Sequence, residues 1–489
     1  MTSIAAIDYY QAAHRNPLID ALPNLDFGPG ILDKMSFLPP EPDAAVRAEP
    51  PQLRLRYLGE LVRVHVALNR DRDLAQSIDA MIRDGLLARG SVARQRAAAP
   101  GQTEQLIRAT DQASTQISAL DALLSRATQV HTPAETRALI GVSGSGKTRT
   151  VHQAVSLYPK SIPHPAADDP RLPSLQIPCI VVETPADCTI PSFHDAAVRS
   201  VEERAQEEFH RRLKSGNRSQ RIGSLASLLQ HFHAGILIID EIQKLVRPNG
   251  RPDHVLLNFI LEIANTLRVP VLFVGTPASQ KLLAAEMRNA RRLLGRPWMN
   301  YSENSKEWER LLTTFWPYRF TSEQVPLDAD IRRVFYKEAV GLPALAMKLF
   351  RETQRLLILA NLNRSHDEPV VPERMTPTVI ESVADALFGP VRPMLNALRS
   401  GRIEDIACFE DLSLDDRIVE ARIHELAEYR RNEFRRTIQA IRSEGAKQRR
   451  RAKAIVRRDL DELLNKIPLS SAIGVEADRE TAAKSAPKE

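Results

Sequence analysis

The stretch of residues 139–150, LIGVSGSGKTRT, constrains this chain more than any other. Two apolar residues lead into the pattern G-x-x-x-x-G-K-T, and a predicted helix follows. Between a strand and a helix, such a turn directs backbone N–H groups at a phosphate, because glycine leaves no side chain in the way. The stretch therefore predicts a nucleotide-binding loop, in which Lys147 contacts the phosphates and Thr148 offers its hydroxyl to Mg²⁺. The predicted loop residues are Gly141, Ser143, Gly144, Ser145, Gly146, Lys147 and Thr148.

A second pattern, GILIIDEIQKL at residues 235–245, runs from apolar residues into two carboxylates, Asp240 and Glu241. In a parallel sheet, charges at the end of an all-apolar strand emerge at its carboxyl edge, beside a bound phosphate. The pattern predicts that Asp240 is the carboxylate on the Mg²⁺ side and that Glu241 is the base that polarises the attacking water. Taken alone, it would also fit a buried strand that ends in surface acids.

Two further features complete a candidate ATPase site. Thr276 ends the apolar run VPVLFVGTP, where its hydroxyl can bond the attacking water or the γ-phosphate, or only cap the chain before Pro277. The cluster EMRNARRLLGR follows, and we expect one of its arginines to reach the γ-phosphate in a neighbouring subunit. A solvated helix face is the alternative interpretation of that cluster. The candidate arginines are Arg288, Arg291 and Arg292.

From residue 131 to 325, short apolar runs alternate with longer amphipathic stretches. This alternation is typical of a parallel sheet wrapped by helices, and it predicts an α/β core. Around the core we expect four further segments. They are an extended N-terminal arm (1–50), a helical accessory region (51–130), an α-helical lid with the helices after it (326–405), and a basic helical tail with a disordered end (406–489).

Composition narrows the functional classes. The sequence has neither a signal-peptide pattern nor an apolar run near the roughly 18 residues of a membrane span, so we expect a cytoplasmic protein. Its three cysteines are scattered, which argues against disulfides and against a zinc site. The net charge of +6 is unevenly distributed, because residues 417–458 hold fourteen Lys or Arg against five Asp or Glu. This basic region favours an acidic partner, such as DNA or an acidic protein.

Several stretches together resemble the AAA+ ATPases of the TnsC family, which includes TniB and, more distantly, MuB. The resemblance covers roughly residues 15 to 405, and NPLIDALP (16–23) and PMLNALRSG (393–401) are the stretches most specific to it. It departs from many AAA+ lids at Ala344, where an arginine that contacts nucleotide is common; Lys348, one turn further on, can replace it or lie on the surface. The stretches are NPLIDALP (16–23), GVSGSGKTRTVHQAVSLYP (141–159), LIIDEIQKL (237–245), VPVLFVGTP (269–277), ARR (290–292), WERLLTTFW (308–316) and PMLNALRSG (393–401).

The resemblance implies a regulator of transposition that binds ATP and Mg²⁺ and assembles as a ring or helical filament on duplex DNA. It also implies recruitment by a target selector of the TnsD/TniQ type, activation of a TnsA/TnsB transposase, and disassembly on hydrolysis. For DNA contact we expect the basic stretch RRLKSGNRSQR (211–221), with Lys214, Arg218 and Arg221. The basic tail KQRRRAKAIVRR (447–458) can bind DNA or the transposase. A signalling or secretion-type P-loop ATPase, working through protein contacts, is the alternative function.

Overall fold

The computed structural model describes residues 16–96, 134–164, 175–208, 217–246, 254–279, 282–283, 298–362, 364, 368–400 and 416–443. These residues belong to two compact units. The first unit draws its described residues from 16–36 and 67–299, and the second from 37–66 and 300–443.

The described strands belong to the first unit. They are β1 (Thr136–Ile140), β2 (Ile162–Pro163), β3 (Leu175–Gln176), β4 (Cys179–Glu183), β5 (Ile236–Asp240) and β6 (Val271–Gly275). Four of them form a parallel sheet in the order β1, β6, β5, β4, and β2 pairs with β3 in an antiparallel ribbon. Because the four strands run parallel, the chain segments that follow β1, β5 and β6 all leave the sheet at its carboxyl edge.

Most of the other described elements are helices. In chain order they are α1 (Pro17–Asp20), α2 (Ile31–Met35), α3 (Ala44–Ala48), α4 (Pro51–Tyr57), α5 (Asn69–Arg96), α6 (Lys147–Ser156), α7 (Ile190–Ala205), α8 (Arg218–His231), α9 (His254–Leu267), α10 (Lys306–Phe315), α11 (Ala329–Ala339), α12 (Pro343–Leu359), α13 (Pro377–Phe388), α14 (Arg392–Ser400) and α15 (Asp416–Ser443). Short 3-10 turns lie at Leu58–Val62, Ile242–Leu245, Pro277–Ser279 and Gly389–Val391. None of the helices in the described ranges combines the length and the apolar character that crossing a membrane requires.

The sheet is covered on both faces, which explains its continuous apolar strands. Side chains alternate across a strand, so Ile236 and Ile238 of β5 pack on one face with α5 and α6. Leu237 and Ile239 pack on the other face with α7, α8 and α9. The α/β fold with a parallel sheet is therefore confirmed.

The described part of the predicted extended arm is folded. Asn16 caps α1, and its side-chain amide also donates to the Leu86 carbonyl of α5 at 3.1 Å. Leu18 and Ile31 are buried in the same cluster as α5 and α6, so residues 16–36 belong to the first unit. These segments are folded because burying their apolar side chains offsets the entropy of ordering the chain. The five predicted segments follow one another along the chain, whereas each compact unit combines residues from separate parts of it.

Helices make up most of the second unit in its described residues, and the range predicted as a lid, 326–405, lies within this unit. Aromatic side chains of α10, α11 and α12 form its centre, including Phe315, Phe335 and Phe350. Arg54 of α4 joins this unit through a buried ion pair with Glu373.

Some of the basic residues in the C-terminal region form contacts inside the second unit. Arg431 of α15 donates to the carbonyls of Leu359 at 2.8 Å and of Ala360 at 2.9 Å, at the end of α12. Arg435 pairs with Glu368 at 2.6 Å. These arginines therefore stabilise the unit's own packing. The basic stretch 447–458 lies outside the described residues.

Candidate active site

The glycine-rich loop follows β1 and turns directly into α6. Gly144 and Gly146 have φ angles of 75° and 96°, in the left-handed region where other residues are strained. Gly141 is needed for a different reason, because a Cβ atom built on it would lie 2.2 Å from the carbonyl oxygen of Trp298. The first glycine of the pattern therefore allows the chain at Trp298 to lie beside β1, and the other two shape the turn.

Lys147 is held inside this loop. Its ammonium group donates to the carbonyls of Gly141 at 2.7 Å and Val142 at 2.9 Å, and the residue is 7% exposed. Thr148, the next residue of α6, is exposed. The hydroxyl of Ser145 donates to the Val142 carbonyl at 2.6 Å, which fixes the turn from inside. The structure therefore presents a preformed loop at the N-terminus of a helix, the geometry that binds phosphate.

The two carboxylates after β5 differ in environment. Asp240 is 5% exposed, and its side chain accepts a hydrogen bond from the Glu241 backbone N–H at 2.7 Å. Glu241 has a φ of 59°, a conformation that costs a non-glycine residue about 1 kcal/mol or more. Its carboxylate accepts a 2.7 Å hydrogen bond from the side chain of Gln243. The strained backbone turns Glu241 away from the direction of the strand, and Gln243 fixes its carboxylate.

Thr276 follows β6, the strand between β1 and β5. The residue is 3% exposed, and within the described part of the chain its hydroxyl is a buried polar atom that lacks a hydrogen-bond partner. Leaving such a group unpaired costs about 1–3 kcal/mol. The backbone N–H of Thr276 donates to the side-chain oxygen of Gln243 at 3.2 Å. The hydroxyl can therefore bond a molecule bound at this edge of the sheet.

Gln243 and Arg70 are site residues that the sequence did not reveal. Gln243 contacts both Glu241 and Thr276. The one sequence feature that could have indicated this role is its position two residues after Glu241, in what the structure shows to be a 3-10 turn. Arg70, in the first turn of α5, donates to the Ser145 carbonyl of the loop at 2.6 Å. No local pattern links residues so far apart in the chain.

The residues at this edge fit a nucleotide with Mg²⁺. Thr148 and Asp240 supply a hydroxyl and a carboxylate, the oxygen ligands that Mg²⁺ prefers, and phosphates and waters complete its usual coordination. In the described residues no three His, Cys, Asp or Glu side chains are grouped so as to hold a metal ion by themselves.

The predicted DNA-contact residues lie in different environments. Arg218, in the first turn of α8, is exposed and pairs with Glu262 at 2.9 Å. Arg221 is only 9% exposed and lies 3.6 Å from Asp195 of α7, so its side chain joins the two helices. Lys214 lies outside the described residues. So do the three candidate arginines of the neighbouring-subunit contact, Arg288, Arg291 and Arg292.

No curated protein sequence matches the chain. Two solved structures are similar to it. The structure of the Aeropyrum pernix ORC1 protein in complex with DNA has 17% sequence identity, covers 68% of this chain and 86% of its own, and gives a TM-score of 0.34. The structure of Drosophila ORC bound to DNA has 14% identity, covers 67% of this chain and 78% of its own, and gives a TM-score of 0.30.

A family comparison locates the resemblance in the sequence. Residues 100–302 match the family described as Bacterial TniB protein. The matched range contains the glycine-rich loop, the two carboxylates after β5, and Thr276. Over residues 100–302 the match confirms the predicted resemblance to the TnsC/TniB family of transposition ATPases.

Proposed function

We propose that this protein is an ATP-dependent, DNA-binding regulator of transposition. In this proposal it oligomerises on target duplex DNA, links a target selector of the TnsD/TniQ type to a TnsA/TnsB transposase, and activates that transposase. ATP hydrolysis controls disassembly. The observation that carries the nucleotide part is the buried hydroxyl of Thr276, which has no hydrogen-bond partner among the described residues. It follows the strand between the glycine-rich loop and the carboxylates, and Gln243 connects it to Glu241.

The roles of the site residues follow from their surroundings. A bound nucleotide with Mg²⁺ would supply the scissile phosphoanhydride and a metal ion to neutralise its charge. Lys147 would exchange its loop carbonyls for phosphate oxygens, and Thr148 and Asp240 would hold the metal. Glu241 would orient the attacking water and accept its proton at a carboxylate oxygen. Thr276 would direct its hydroxyl to that water or to the γ-phosphate.

Assembly on DNA is the second part of the proposal. Arg218 is exposed at the start of α8, next to the basic stretch that contains Lys214, and both can contact phosphates. Arg221 is 9% exposed and lies 3.6 Å from Asp195, so a contact of this residue with phosphate would require its side chain to leave that position. One arginine among residues 288–292 would complete the nucleotide site of a neighbouring subunit.

The test of the proposal is assembly on duplex DNA with and without ATP, followed by light scattering and electron microscopy. We expect large oligomers only when ATP, or a non-hydrolysable analogue, and DNA are both present. Lys147→Ala should abolish them, because the loop loses its phosphate-binding ammonium. Lys160→Ala is the matched control, since this lysine is exposed and, among the described residues, pairs with Glu203 outside the glycine-rich loop. A protein that stays monomeric on DNA with ATP would contradict the proposal.

Salt dependence distinguishes the proposal from an ATPase that works through protein contacts alone. Phosphate contacts release counterions, so DNA affinity should fall steeply as salt rises. Arg218→Ala should lower the slope of log K against log salt by about one. DNA-independent assembly with a flat salt dependence would favour the signalling or secretion-type ATPase.

A further inference from the structure

The first turn of α5 contacts the glycine-rich loop and the helix that follows it. The guanidinium group of Arg70 donates to the backbone carbonyl of Ser145 at 2.6 Å. The neighbouring carboxylate of Asp71 accepts a hydrogen bond from the Thr150 hydroxyl of α6 at 2.9 Å. Asp71 and Thr150 are both buried. An element outside the nucleotide motif therefore holds the motif at two points.

A second donor reaches the same carbonyl. The indole N–H of Trp298 donates to the Ser145 carbonyl at 3.0 Å. The guanidinium of Arg70 stacks on the Trp298 ring, 4.5 Å from its centroid, and also donates to the Met299 carbonyl at 2.7 Å. The planar, multi-donor guanidinium suits this arrangement, since it can stack and donate at once. Both lone pairs of the Ser145 oxygen are thus directed toward side chains outside the loop.

Fixing this carbonyl also fixes the next N–H group. In a planar trans peptide, the C=O of Ser145 and the N–H of Gly146 point in opposite directions. Arg70 and Trp298 hold the oxygen from one side, so the Gly146 N–H points to the other side. Gly146 has a φ of 96° and lacks a side chain, so its own conformational preference does not prevent rotation of this peptide. The two outside donors therefore hold this orientation together with the hydrogen bonds from Ser145 to the Val142 carbonyl within the turn.

The N-terminal stretch NPLIDALP holds the other half of α5. Asn16 is buried and donates to the Leu86 carbonyl, and Leu18 and Leu22 pack in the cluster that contains α5. The carbonyl of Leu18 accepts a hydrogen bond from Gln176 at 2.9 Å. Residues 16–23 thus fix the helix from which Arg70 and Asp71 project.

We propose that Arg70 and Trp298 are positioning residues that orient the Ser145–Gly146 peptide for phosphate binding, so that α5 and its N-terminal anchor set the affinity for nucleotide. This inference rests on the nucleotide site proposed above and assigns it a regulatory element. Neither residue contacts the nucleotide in this proposal. Each acts through the backbone of the loop.

The test is equilibrium binding of a non-hydrolysable ATP analogue with Mg²⁺, measured by calorimetry on the full chain. We expect Arg70→Met to raise the Kd about ten- to hundredfold, the effect of losing one hydrogen bond to a charged group. Arg70→Lys should raise it almost as much, because lysine keeps the charge but neither stacks nor donates in the same fork. Trp298→Phe should have a smaller effect in the same direction. In ATPase assays, KM should rise more than kcat falls.

Arg72→Met is the matched control, because Arg72 lies on the same helix and, within the described part of the chain, pairs with Asp73 and not with the glycine-rich loop. It should leave the Kd within about twofold of the parent value, an effect of less than about 0.5 kcal/mol. Melting temperatures of the nucleotide-free variants separate a folding defect from a binding defect.

The outcomes are distinguishable. If the parent protein binds the analogue and Arg70→Met and Trp298→Phe bind it equally well, the positioning role is refuted and the nucleotide site stands. If Arg70→Lys restores parent affinity, charge alone explains Arg70 and the positioning role is again refuted. If the parent protein does not bind the analogue, the proposed function fails as well.

Discussion

Replacing Gln243 with alanine removes the side chain that connects Glu241 to Thr276. In the structure its amide N–H₂ donates to the Glu241 carboxylate at 2.7 Å, and its oxygen accepts from the Thr276 backbone N–H at 3.2 Å. The first bond involves a charged group and is the stronger of the two. Without it, the carboxylate gains rotational freedom on a backbone already held at a φ of 59°. The predicted defect is a misplaced base in an otherwise intact site.

The size of the effect follows from the role of the base. A positioned general base contributes about 10²- to 10⁴-fold to a rate, and a displacement of about 1 Å can cost 10²-fold. We therefore expect Gln243→Ala to lower kcat about ten- to hundredfold, which corresponds to about 1.4–2.7 kcal/mol of transition-state stabilisation. Nucleotide affinity should change less than about twofold, since within the described residues the side chain of Gln243 bonds to Glu241 and Thr276 and not to the glycine-rich loop.

A double-mutant cycle tests this reasoning in steady-state ATPase assays. If Gln243 acts through Glu241, adding Gln243→Ala to a Glu241→Gln protein should lower the remaining rate less than about threefold. Additive losses in the double variant would refute the connection. A kcat of the single variant within twofold of the parent would refute the positioning role itself.

The next two predictions concern the stability of the second unit and of the first unit in turn. Glu373→Ala leaves Arg54 buried without its ion-pair partner and should lower the free energy of unfolding by about 3–5 kcal/mol in denaturant titrations. Glu381→Ala, which breaks the more exposed pair with Lys337, should cost less than about 1 kcal/mol, and equal costs would contradict the account. Burial lowers the pKa of His194 from its ordinary value of 6.5. The unfolded chain then takes up the proton more readily, so stability should fall as the pH drops below about 6.5, by at most about 1.4 kcal/mol at pH 5.5. His194→Gln should lose this contribution, and an unchanged pH profile would exclude it.

The sequence predicted the parts of the site that lie within short motifs. An all-apolar strand that ends in Asp240 and Glu241 is expected inside a sheet that is covered on both faces, with its charges at the strand end. The parallel sheet places both carboxylates at its carboxyl edge. The glycine-rich turn is equally local, because Gly144 and Gly146 are required by their own backbone angles. In these cases the residues that act together are neighbours in the sequence, so their spacing along the chain predicts their arrangement in the structure.

The rest of the site depends on contacts between distant segments. Trp298 reaches Ser145 across 153 residues of sequence, and Arg70 reaches it across 75. No periodicity encodes such pairs. Arg221 is a further case, since the basic stretch predicts DNA contact for it, whereas in the structure it is 9% exposed and lies 3.6 Å from Asp195 on the preceding helix. Which charges face solvent depends on tertiary packing.

If ATP hydrolysis at this site limits the lifetime of the proposed assembly on DNA, a variant that binds ATP without hydrolysing it should form longer-lived assemblies. The most direct measurement is the dissociation rate of ATP-formed oligomers from labelled duplex DNA, compared between the parent protein and Glu241→Gln. We expect the parent assembly to dissociate as ATP is hydrolysed, and the Glu241→Gln assembly to form normally but to persist at least tenfold longer, because its carboxamide cannot accept a proton. Equal lifetimes, with hydrolysis lost in the variant, would show that hydrolysis does not limit the lifetime of the assembly.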